Sequence, residues 1–305
     1  MPRPERPERP ERPERGRRPG GSPRPPRPSR SPGPARQFGP PRPPGPGRPS
    51  RQERGLGGEQ VEGRQAVAEL LRAGRRRVRE VWMAEDIDPA PILEEIVRLA
   101  ARARVPVRRV ARSRLEGAAR TEAPQGVLAR AEPLPEAELD DLCQPAPDGT
   151  PPLLVAFDGV TDPQNLGALL RSAEAAGATG AVLPRHRAAH VTPAAAKAAA
   201  GAIERVPIAV VGGLPSALAR VSELGVWVMG LTTQGGENLW RLTLGDGPVL
   251  VVVGAEGPGL SRLVRQRCDV LVTIPLRGVL SSLNVSAAGA IALFELARQR
   301  HETKS

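Results

Sequence analysis

The polar residues best placed for chemistry follow two apolar runs near the carboxyl end of the chain. The runs Val249–Val253 and Val270–Ile274 are continuous and rich in β-branched residues, a pattern typical of strands buried on both faces of a parallel sheet. The loop after the first run carries Glu256, and the loop after the second carries Ser282 and Asn284. Open α/β sheets bind their ligands at the carboxyl ends of parallel strands. We therefore expect a carboxylate, a hydroxyl and an amide to meet at one site.

A second group of candidate residues lies at the start of a predicted helix. Asp162 precedes Pro163, the arrangement of a capping residue before the first helical position. Asn165 is a poor helix former, and in the first turn its amide can point across the strand ends. Arg171 is a lone cation among Leu, Gly, Ala and Ser, which disfavours a core position. We assign Asp162 to capping and treat Asn165 and Arg171 as site candidates; an ordinary exposed position is the alternative for Arg171.

Other chemistries have no support in the sequence. The chain lacks the spaced dinucleotide fingerprint and the P-loop motif, so neither a nicotinamide enzyme nor a nucleotide hydrolase is indicated. Cys143 and Cys268 are too few for a disulfide framework or a four-cysteine zinc site, and His186, His190 and His301 show no metal-ligand spacing. The sequence has neither a long apolar run nor a signal-peptide core. We predict no metal, no membrane association and a cytoplasmic location.

Strands and helices alternate from residue 153 to the end of the chain. We predict strands at 153–157, 180–183, 206–211, 226–231, 249–253 and 270–274, and helices near 163–176, 193–201, 214–223, 259–266 and 285–300. Such alternation indicates an α/β domain built on a mostly parallel sheet with helices on both faces.

Three motifs in this region resemble, in order and spacing, those of the SpoU/TrmH family. They are Asp162-Pro163-Gln164-Asn165-Leu166-Gly167 with Arg171, then Gly254-Ala255-Glu256-Gly257, then Ser282-Leu283-Asn284-Val285-Ser286. Members of this family are RNA ribose 2′-O-methyltransferases of the SPOUT superfamily, and the resemblance covers roughly residues 59–300. It implies S-adenosylmethionine as cofactor, a homodimer and a C-terminal trefoil knot, and it is strongest for the RlmB-like guanosine methyltransferases of 23S ribosomal RNA.

The resemblance also implies roles for individual residues. The catalytic set corresponds to Asn165, Arg171, Glu256, Ser282 and Asn284. The cofactor pocket corresponds to Leu231, Thr232, Gly254, Ile274, Leu276 and Leu283. Because arginine stays protonated in proteins, we expect Arg171 to bind RNA phosphate and stabilise the developing 2′-alkoxide rather than to act as a base. Glu256 is expected to orient Arg171 or Asn165, the alternative being a helix N-terminal acid, and Ser286 to cap the last helix.

A smaller α/β unit precedes this domain. We predict helices at 63–73, 91–103 and 112–118 and strands at 78–83, 105–110 and 126–129. The unit resembles the ribosomal-protein-like RNA-binding domain of family members that act on ribosomal RNA, through Val61-Glu62-Gly63-Arg64 and Gln125-Gly126-Val127; Pro124 stands where many relatives have His. The candidate RNA contacts are Arg64, Arg75, Arg76 and Arg77, and a solvated helix end is the alternative for the last three.

The remaining segments differ sharply in composition. Residues 1–58 hold 15 Arg against 5 Glu and half of the 36 prolines, so most of the net charge of +11 lies there. We predict that this segment is a disordered tail that solubilises the chain, attracts RNA phosphate or does both. Residues 136–150 hold five acidic residues and no basic ones, and we predict a linker between an RNA-binding domain at 59–135 and a catalytic domain at 151–305.

The leading functional hypothesis is S-adenosylmethionine-dependent methylation of a ribose 2′-hydroxyl in structured RNA. The RNA-binding domain favours ribosomal over transfer RNA, and a guanosine of the large-subunit RNA is the target that the resemblance implies. Transfer RNA is the alternative within the same class, and antibiotic resistance through 2′-O-methylation stays open. The alternative from another class is a catalytically silent RNA-binding or ribosome-assembly factor, which the complete set of five polar residues disfavours.

Overall fold

The computed structural model describes residues 56–186, 189, 191–244, 246–279 and 281–303. Most of the predicted tail, residues 1–55, and the histidine at position 190 lie outside the described residues. The predicted boundary at residue 58 is too late, because the chain already packs at residue 56. Leu56 is buried, and its carbonyl oxygen accepts a hydrogen bond of 3.2 Å from the backbone N–H of Val191.

The RNA-binding domain predicted at 59–135 contains a four-stranded mixed sheet in the order β1-β4-β2-β3. Its elements are β1 Gln60–Glu62, α1 Arg64–Ala73, β2 Val78–Ala84, α2 Pro91–Arg102, β3 Val107–Val110, α3 Arg112–Ala118 and β4 Val127–Ala131. The predicted helices and strands are present with bounds shifted by two residues or fewer. Strand β1 was not predicted, because three residues are too few to show a period of two.

The two stretches that carry the resemblance of this domain bind each other. The backbone N–H of Gly63 donates to the carbonyl of Val127 over 3.1 Å. The backbone N–H of Arg64 donates to Oε1 of Gln125 over 3.1 Å, and the Arg64 Nε donates to the carbonyl of Gln125 over 3.2 Å. The half-buried Arg64 side chain therefore uses one N–H donor in a hydrogen bond within the domain. Its remaining donors lie at the surface.

The acidic segment 136–150, predicted from its composition as a linker, is packed against the catalytic domain. The backbone N–H of Ala137 donates to the carbonyl of Ile208 over 2.8 Å, and helix α4 spans Leu139–Leu142. Leu142 and Cys143 are buried against Leu154 and its neighbours. The segment has too few apolar residues to show a helical period. The prediction therefore followed its acidic composition.

In the described residues the catalytic domain has a seven-stranded sheet, and every strand pairing in it is parallel. Its strands are β5 Leu153–Asp158, β6 Gly180–Pro184, β7 Ile208–Val211, β8 Trp227–Leu231, β9 Glu237–Asn238, β10 Val249–Gly254 and β11 Val270–Thr273. Its helices are α5 Pro163–Ala175, α6 Pro193–Ala198, α7 Leu214–Glu223, α8 Arg262–Arg265 and α9 Val285–Thr303. The predicted α/β fold with a mostly parallel sheet is confirmed; the trefoil knot stays a prediction.

The strand order brings the late part of the chain to the centre of the sheet. The order is β7-β6-β5-β10-β8-β11-β9, so β10 lies between β5 and β8. Successive residues of β5 face opposite sides, with Val155 in one apolar cluster and Leu154 in the other, as in a strand covered on both faces. Strands β8, β10 and β11 are adjacent and parallel, so their carboxyl ends meet at one edge.

Helices α5 and α9 hold the predicted polar residues at that edge. Asp162 caps α5 as predicted, with its side chain accepting a hydrogen bond of 2.9 Å from the backbone N–H of Gln164. Gly289 in α9 packs directly on Leu169 of α5, since a Cβ at Gly289 would lie 2.6 Å from the Leu169 Cδ1. A larger residue here would have to displace the Leu169 side chain, and this close crossing places the start of α9 beside the start of α5.

A buried ion pair joins the two domains. Arg76, after α1, binds Glu204 through two hydrogen bonds, Nε to Oε2 at 3.0 Å and Nη2 to Oε1 at 2.5 Å. Both side chains are 2% exposed. The Arg76 Nη1 also donates to the carbonyls of Gly58 and Glu132, at 2.7 and 2.6 Å. The prediction that Arg76 contacts RNA is wrong, because its guanidinium is enclosed and its donors are used within the protein.

We expect Glu204→Ala to lower the free energy of unfolding by about 3–5 kcal/mol, because the Arg76 guanidinium would stay buried without its counter-charge. Glu223→Ala is the control; Glu223 pairs with Arg220 at the surface, with side chains 68% and 48% exposed, and its loss should cost less than about 1 kcal/mol. Urea unfolding of both variants measures the difference. Equal losses would show that the buried pair does not hold the domains together.

Candidate functional site

The carboxyl ends of β8, β10 and β11 surround a cavity of about 820 Å³. The cavity is lined by residues from the loops that follow each of these strands. Its position agrees with the general rule that parallel α/β sheets bind ligands beyond the carboxyl ends of their strands.

The residues predicted to bind the cofactor all line this cavity. They are Leu231, Thr232, Gly254, Ile274, Leu276 and Leu283. Two of the predicted catalytic residues, Glu256 and Ser282, line it as well. The second and third sequence motifs, at 254–257 and 282–286, thus meet at one cavity because their strands are close together in the parallel sheet.

The loop between β10 and α8 is held in a fixed shape against the strand ends. A Cβ at Gly254 would lie 2.2 Å from the backbone carbon of Gly259, so only glycine permits this close approach. The backbone N–H of Gly259 donates to the carbonyl of Ala255 over 2.9 Å. The side chain of Asp158, at the end of β5, accepts a hydrogen bond of 2.5 Å from the backbone N–H of Ser261. Asp158 was not predicted as a site residue; its position at a strand end is the feature that could have indicated it.

Two further residues of the cavity wall were missed. The Thr273 hydroxyl is buried without a hydrogen-bond partner in the described residues, although buried hydroxyls are nearly always bonded. Arg265 is the one basic side chain among the described residues of the cavity wall, and its Nη1 lies 3.4 Å from the Thr232 hydroxyl. Thr273 lies within the predicted strand 270–274, and nothing in the sequence pattern singled it out. Arg265 lies in an Arg-rich helix with no pattern that singles it out.

Asn165 and Asn284 meet beside the cavity. The Asn284 Nδ2 donates to the Asn165 Oδ1 over 2.9 Å. The Asn284 Oδ1 accepts from the backbone N–H and the hydroxyl of Ser286, at 2.9 and 2.6 Å. The prediction that Ser286 caps α9 is therefore wrong. Asn284 is the capping residue, because its amide oxygen satisfies a free N–H of the first turn while its nitrogen turns to Asn165.

Arg171 and Glu256 are both exposed and make no hydrogen bond or ion pair with the other site candidates in the part of the chain that the structure describes. The expected contact from Glu256 to Arg171 or Asn165 is absent there, and Asn284 orients Asn165 instead. Glu256 therefore presents an exposed carboxylate at the cavity wall, and Arg171 presents an exposed guanidinium on α5.

The cysteines do not provide a nucleophile. Burial raises the pKa of the Cys268 thiol to about 12 and that of the Cys143 thiol to about 11. Both thiols are therefore protonated at neutral pH. Within the described residues, no group of three His, Cys, Asp or Glu side chains is placed to hold a metal ion. No described helix is both long enough and apolar enough to cross a bilayer.

The chain matches two family descriptions. Residues 152–294 match the SpoU rRNA Methylase family, and residues 60–137 match RNA 2′-O ribose methyltransferase substrate binding. The second match coincides with the small N-terminal α/β unit, and the first with the domain that carries the cavity.

Similar proteins cover most of the chain. The 23S rRNA (guanosine-2′-O-)-methyltransferase RlmB of Pseudomonas putida is 40% identical over 245 residues, which is 79% of this chain and 97% of that protein. An uncharacterized tRNA/rRNA methyltransferase of Mycobacterium ulcerans is 41% identical over 242 residues, which is 79% of this chain and 77% of that protein.

A solved structure shares the architecture. The SpoU methyltransferase AviRb of Streptomyces viridochromogenes, in complex with the cofactor AdoMet, superposes with a TM-score of 0.67 at 28% identity and covers 79% of this chain and 90% of its own. With relatives this similar over almost their whole length, and with both domains matched, the chain belongs to the SpoU rRNA methylase family.

Proposed function

We propose that this protein transfers a methyl group from S-adenosylmethionine to the 2′-hydroxyl of a guanosine ribose in 23S ribosomal RNA. The observation that carries the proposal is the cavity of about 820 Å³, on which Gly254, Glu256, Ser282 and Leu283 from two separate motifs converge. The 40% identity to RlmB of Pseudomonas putida, a 23S rRNA guanosine methyltransferase by name, supports the reaction and the substrate together.

The cavity wall fits S-adenosylmethionine. The half-buried Ile274 and the partly exposed Leu276 and Leu283 offer apolar surface for an adenine ring. The Thr232 hydroxyl, on a residue of the cavity wall, offers a polar contact to the cofactor. The close packing of Gly259 on Gly254 fixes the backbone that forms this part of the cavity wall. When bound, this cofactor supplies an electrophilic methyl group on a sulfonium ion.

The reaction requires alignment of the acceptor hydroxyl more than acid–base power. Asn284 holds the Asn165 amide, and the spare N–H donors of Asn165 can fix the acceptor ribose. Ser282 and Glu256 lie at the cavity wall, where they can bind the ribose hydroxyls. Arg171 keeps a free guanidinium, which can bind the adjacent phosphate in two parallel hydrogen bonds and stabilise the developing alkoxide. The hydroxyl proton then passes to phosphate or water.

The N-terminal domain supports an RNA substrate, because it matches a substrate-binding family over residues 60–137. The 40% identity to RlmB of Pseudomonas putida favours ribosomal over transfer RNA. Arg64, Arg75 and Arg77 keep guanidinium donors at its surface. Transfer RNA is the rival substrate, favoured only by the broader name of the Mycobacterium ulcerans relative. A silent RNA-binding factor is the rival from another class, and the cavity lined by Gly254, Glu256, Ser282 and Leu283 disfavours it.

The decisive experiment combines the purified protein, S-adenosylmethionine with a tritium-labelled methyl group, and RNA from a strain that lacks the gene. Nuclease mapping should find the label as a single 2′-O-methylguanosine in the large-subunit ribosomal RNA. Label confined to transfer RNA would overturn the assignment of ribosomal RNA as the substrate. RNA binding without any labelling would overturn the enzymatic proposal and favour an assembly factor.

We expect Arg171→Lys to lower kcat by about 100-fold with unchanged affinity for S-adenosylmethionine, because lysine cannot make two parallel hydrogen bonds to phosphate. Arg98→Lys, at an exposed helical position in the other domain, is the matched control and should keep full activity. Single-turnover methylation assays give the comparison. Near-normal turnover of Arg171→Lys would eliminate the role of the forked guanidinium.

We expect Arg265→Gln to weaken S-adenosylhomocysteine about tenfold to hundredfold, because Arg265 is placed to pair with the amino-acid carboxylate of the cofactor. The same variant should bind methylthioadenosine, which lacks that carboxylate, as tightly as the unmodified protein does. Arg262→Gln is the control, since Arg262 shares helix α8 but does not line the cavity. Calorimetry provides the affinities. Equal losses of affinity for both ligands would show that Arg265 does not bind the amino-acid carboxylate of the cofactor.

We infer that the protein acts as a homodimer in the cytoplasm, where ribosomal RNA is found. Phe294 on α9 is 49% exposed, an apolar position that a second copy of the chain would cover. Sedimentation at assay concentrations tests this inference, and a monomer that is fully active would contradict it.

A further inference from the structure

Residues 193–205 lie between the two domains, and we call them the bridging segment. The segment contains α6, a 3₁₀ turn at Ala202–Glu204 and Arg205. Both α6 and the 3₁₀ turn contact α5, the helix that carries Asn165 and Arg171. In the N-terminal domain, α6 contacts β1 and α1, and the 3₁₀ turn contacts α1. The segment therefore touches both the domain proposed to hold the RNA and the helix that presents two site candidates.

The contact between α6 and α5 is close enough to fix their separation. A Cβ at Gly167 of α5 would lie 2.3 Å from the carbonyl oxygen of Ala195 and 2.7 Å from the Cβ of Ala198. The backbones of the two helices therefore meet without a side chain between them. Gly167 follows Asn165 by two residues, so the position of α6 is set relative to the backbone that carries Asn165.

The contact between the bridging segment and α1 is equally close. Gly201 has φ of 95°, and a Cβ there would lie 2.1 Å from the Cβ of Glu69 in α1. Ala200 precedes it with φ of 48°, a left-handed conformation that alanine rarely adopts. Backbone strain of this kind persists only where the surrounding structure holds it, and it often has a functional reason. The strained turn lies where α1 packs on the catalytic domain.

Polar side chains fasten the same joint. Arg205 donates Nη2 and Nε to Oε2 of Glu69, at 2.7 and 3.2 Å. The Arg205 Nε also lies 3.9 Å from Oε1 of Glu174 in α5. Lys197 of α6 donates Nζ to the carbonyl oxygen of Ala123 over 2.7 Å. Arg205 therefore pairs with one carboxylate from each domain, and the one in the catalytic domain is on the helix of the site candidates.

The bridging segment is separate from the cofactor cavity. Among the described residues, the wall of that cavity includes none from α5 and none from residues 193–205. A small displacement in the segment should therefore change how RNA meets Asn165 and Arg171 without changing how the cofactor binds.

We propose that the bridging segment is a positioning element that determines which ribose of the bound RNA reaches Asn165 and Arg171. Gly201 and Arg205 are its positioning residues; they set the placement of α1 relative to α5 and need no contact with RNA. The proposal rests on the proposed RNA methyltransferase function and names a source of its site selectivity. Methyl transfer depends on alignment, so a shift of about 1 Å between the two domains would cost about 100-fold in rate.

The first test compares Gly201→Ala with Gly149→Ala in the full chain. Gly149 also has a left-handed φ, 81°, and is exposed with nothing within 4 Å of a Cβ. Both variants place alanine in a left-handed conformation, but only the Cβ at position 201 pushes on α1. Single-turnover methylation of ribosomal RNA, nuclease mapping of the label, and direct binding of RNA and of S-adenosylmethionine are measured for each.

Gly201→Ala should lower kcat about tenfold to hundredfold and spread the label to neighbouring riboses, with the affinities for RNA and for S-adenosylmethionine unchanged. Gly149→Ala should behave like the unmodified protein. A Gly201→Ala protein with normal kcat and a single labelled ribose would overturn the proposal, even if it unfolds more easily. An equal loss of RNA affinity would also overturn it, because the segment would then act in binding rather than in positioning.

A second pair of variants tests the proposal without a buried substitution. Arg205→Gln removes an exposed side chain that bridges the domains, and Arg220→Gln is its control. Arg220 is equally exposed and pairs with Asp140 and Glu223, both within the catalytic part of the chain. Arg205→Gln should lower kcat about twofold to fivefold and broaden the labelled site, as expected for one surface ion pair. If Gly201→Ala does not fold, identical results for these two variants decide against the proposal.

The two proposals fail in different ways. If the unmodified protein does not methylate ribosomal RNA, the proposed function fails before any variant is compared. If it does, and the variants match their controls in rate and in site, the methyltransferase stands and the bridging segment is an ordinary domain interface.

Discussion

The arrangement of this protein depends on the buried pair between Arg76 and Glu204. Two desolvated charges are tolerated because the geometry is bidentate and because two backbone carbonyls take further Arg76 donors. Arg205 extends the contact, since its Nη2 donates to Glu69 of α1 over 2.7 Å. The N-terminal domain is therefore docked rather than tethered, and any RNA that it holds is presented to the catalytic domain in one orientation.

The backbone at the carboxyl ends of the catalytic strands is also held in place, by close packing and hydrogen bonds. Strand order places three loops side by side. Gly254 lets the backbone of Gly259, in the loop after β10, pack against the strand end, and Asp158 ties the same loop to β5. Asn284 joins α9 to α5 through Asn165. An alignment reaction needs such preorganisation, because the rate depends on how well the acceptor hydroxyl is held in line with the transferred methyl group. Arg171 and Glu256 are exposed and make no hydrogen bond or ion pair with the other site candidates among the described residues.

Sequence reasoning was most accurate where one residue decides a local structure. Asp162 before Pro163 specified the start of α5, and the β-branched run at 249–253 specified a buried strand. It was least accurate where neighbours far along the chain decide the outcome. Arg75, Arg76 and Arg77 are identical in type, yet only Arg76 is buried, because only its side chain meets Glu204, 128 residues away. The Ser286 cap failed similarly, since Asn284 reaches both α9 and Asn165.

By itself, the sequence determined the alternating α/β architecture, the motifs at the strand ends and the family, because hydrophobic period and short motifs are local properties. The tertiary structure alone decided which of these residues share a cavity, because β10 enters the sheet between β5 and β8 only when the whole sheet forms. The tertiary structure also decided which arginine side chains form ion pairs inside the protein. Arg76 is neutralised by Glu204, whereas the adjacent Arg75 and Arg77 stay exposed. Pairings of this kind depend on distances that no local pattern encodes.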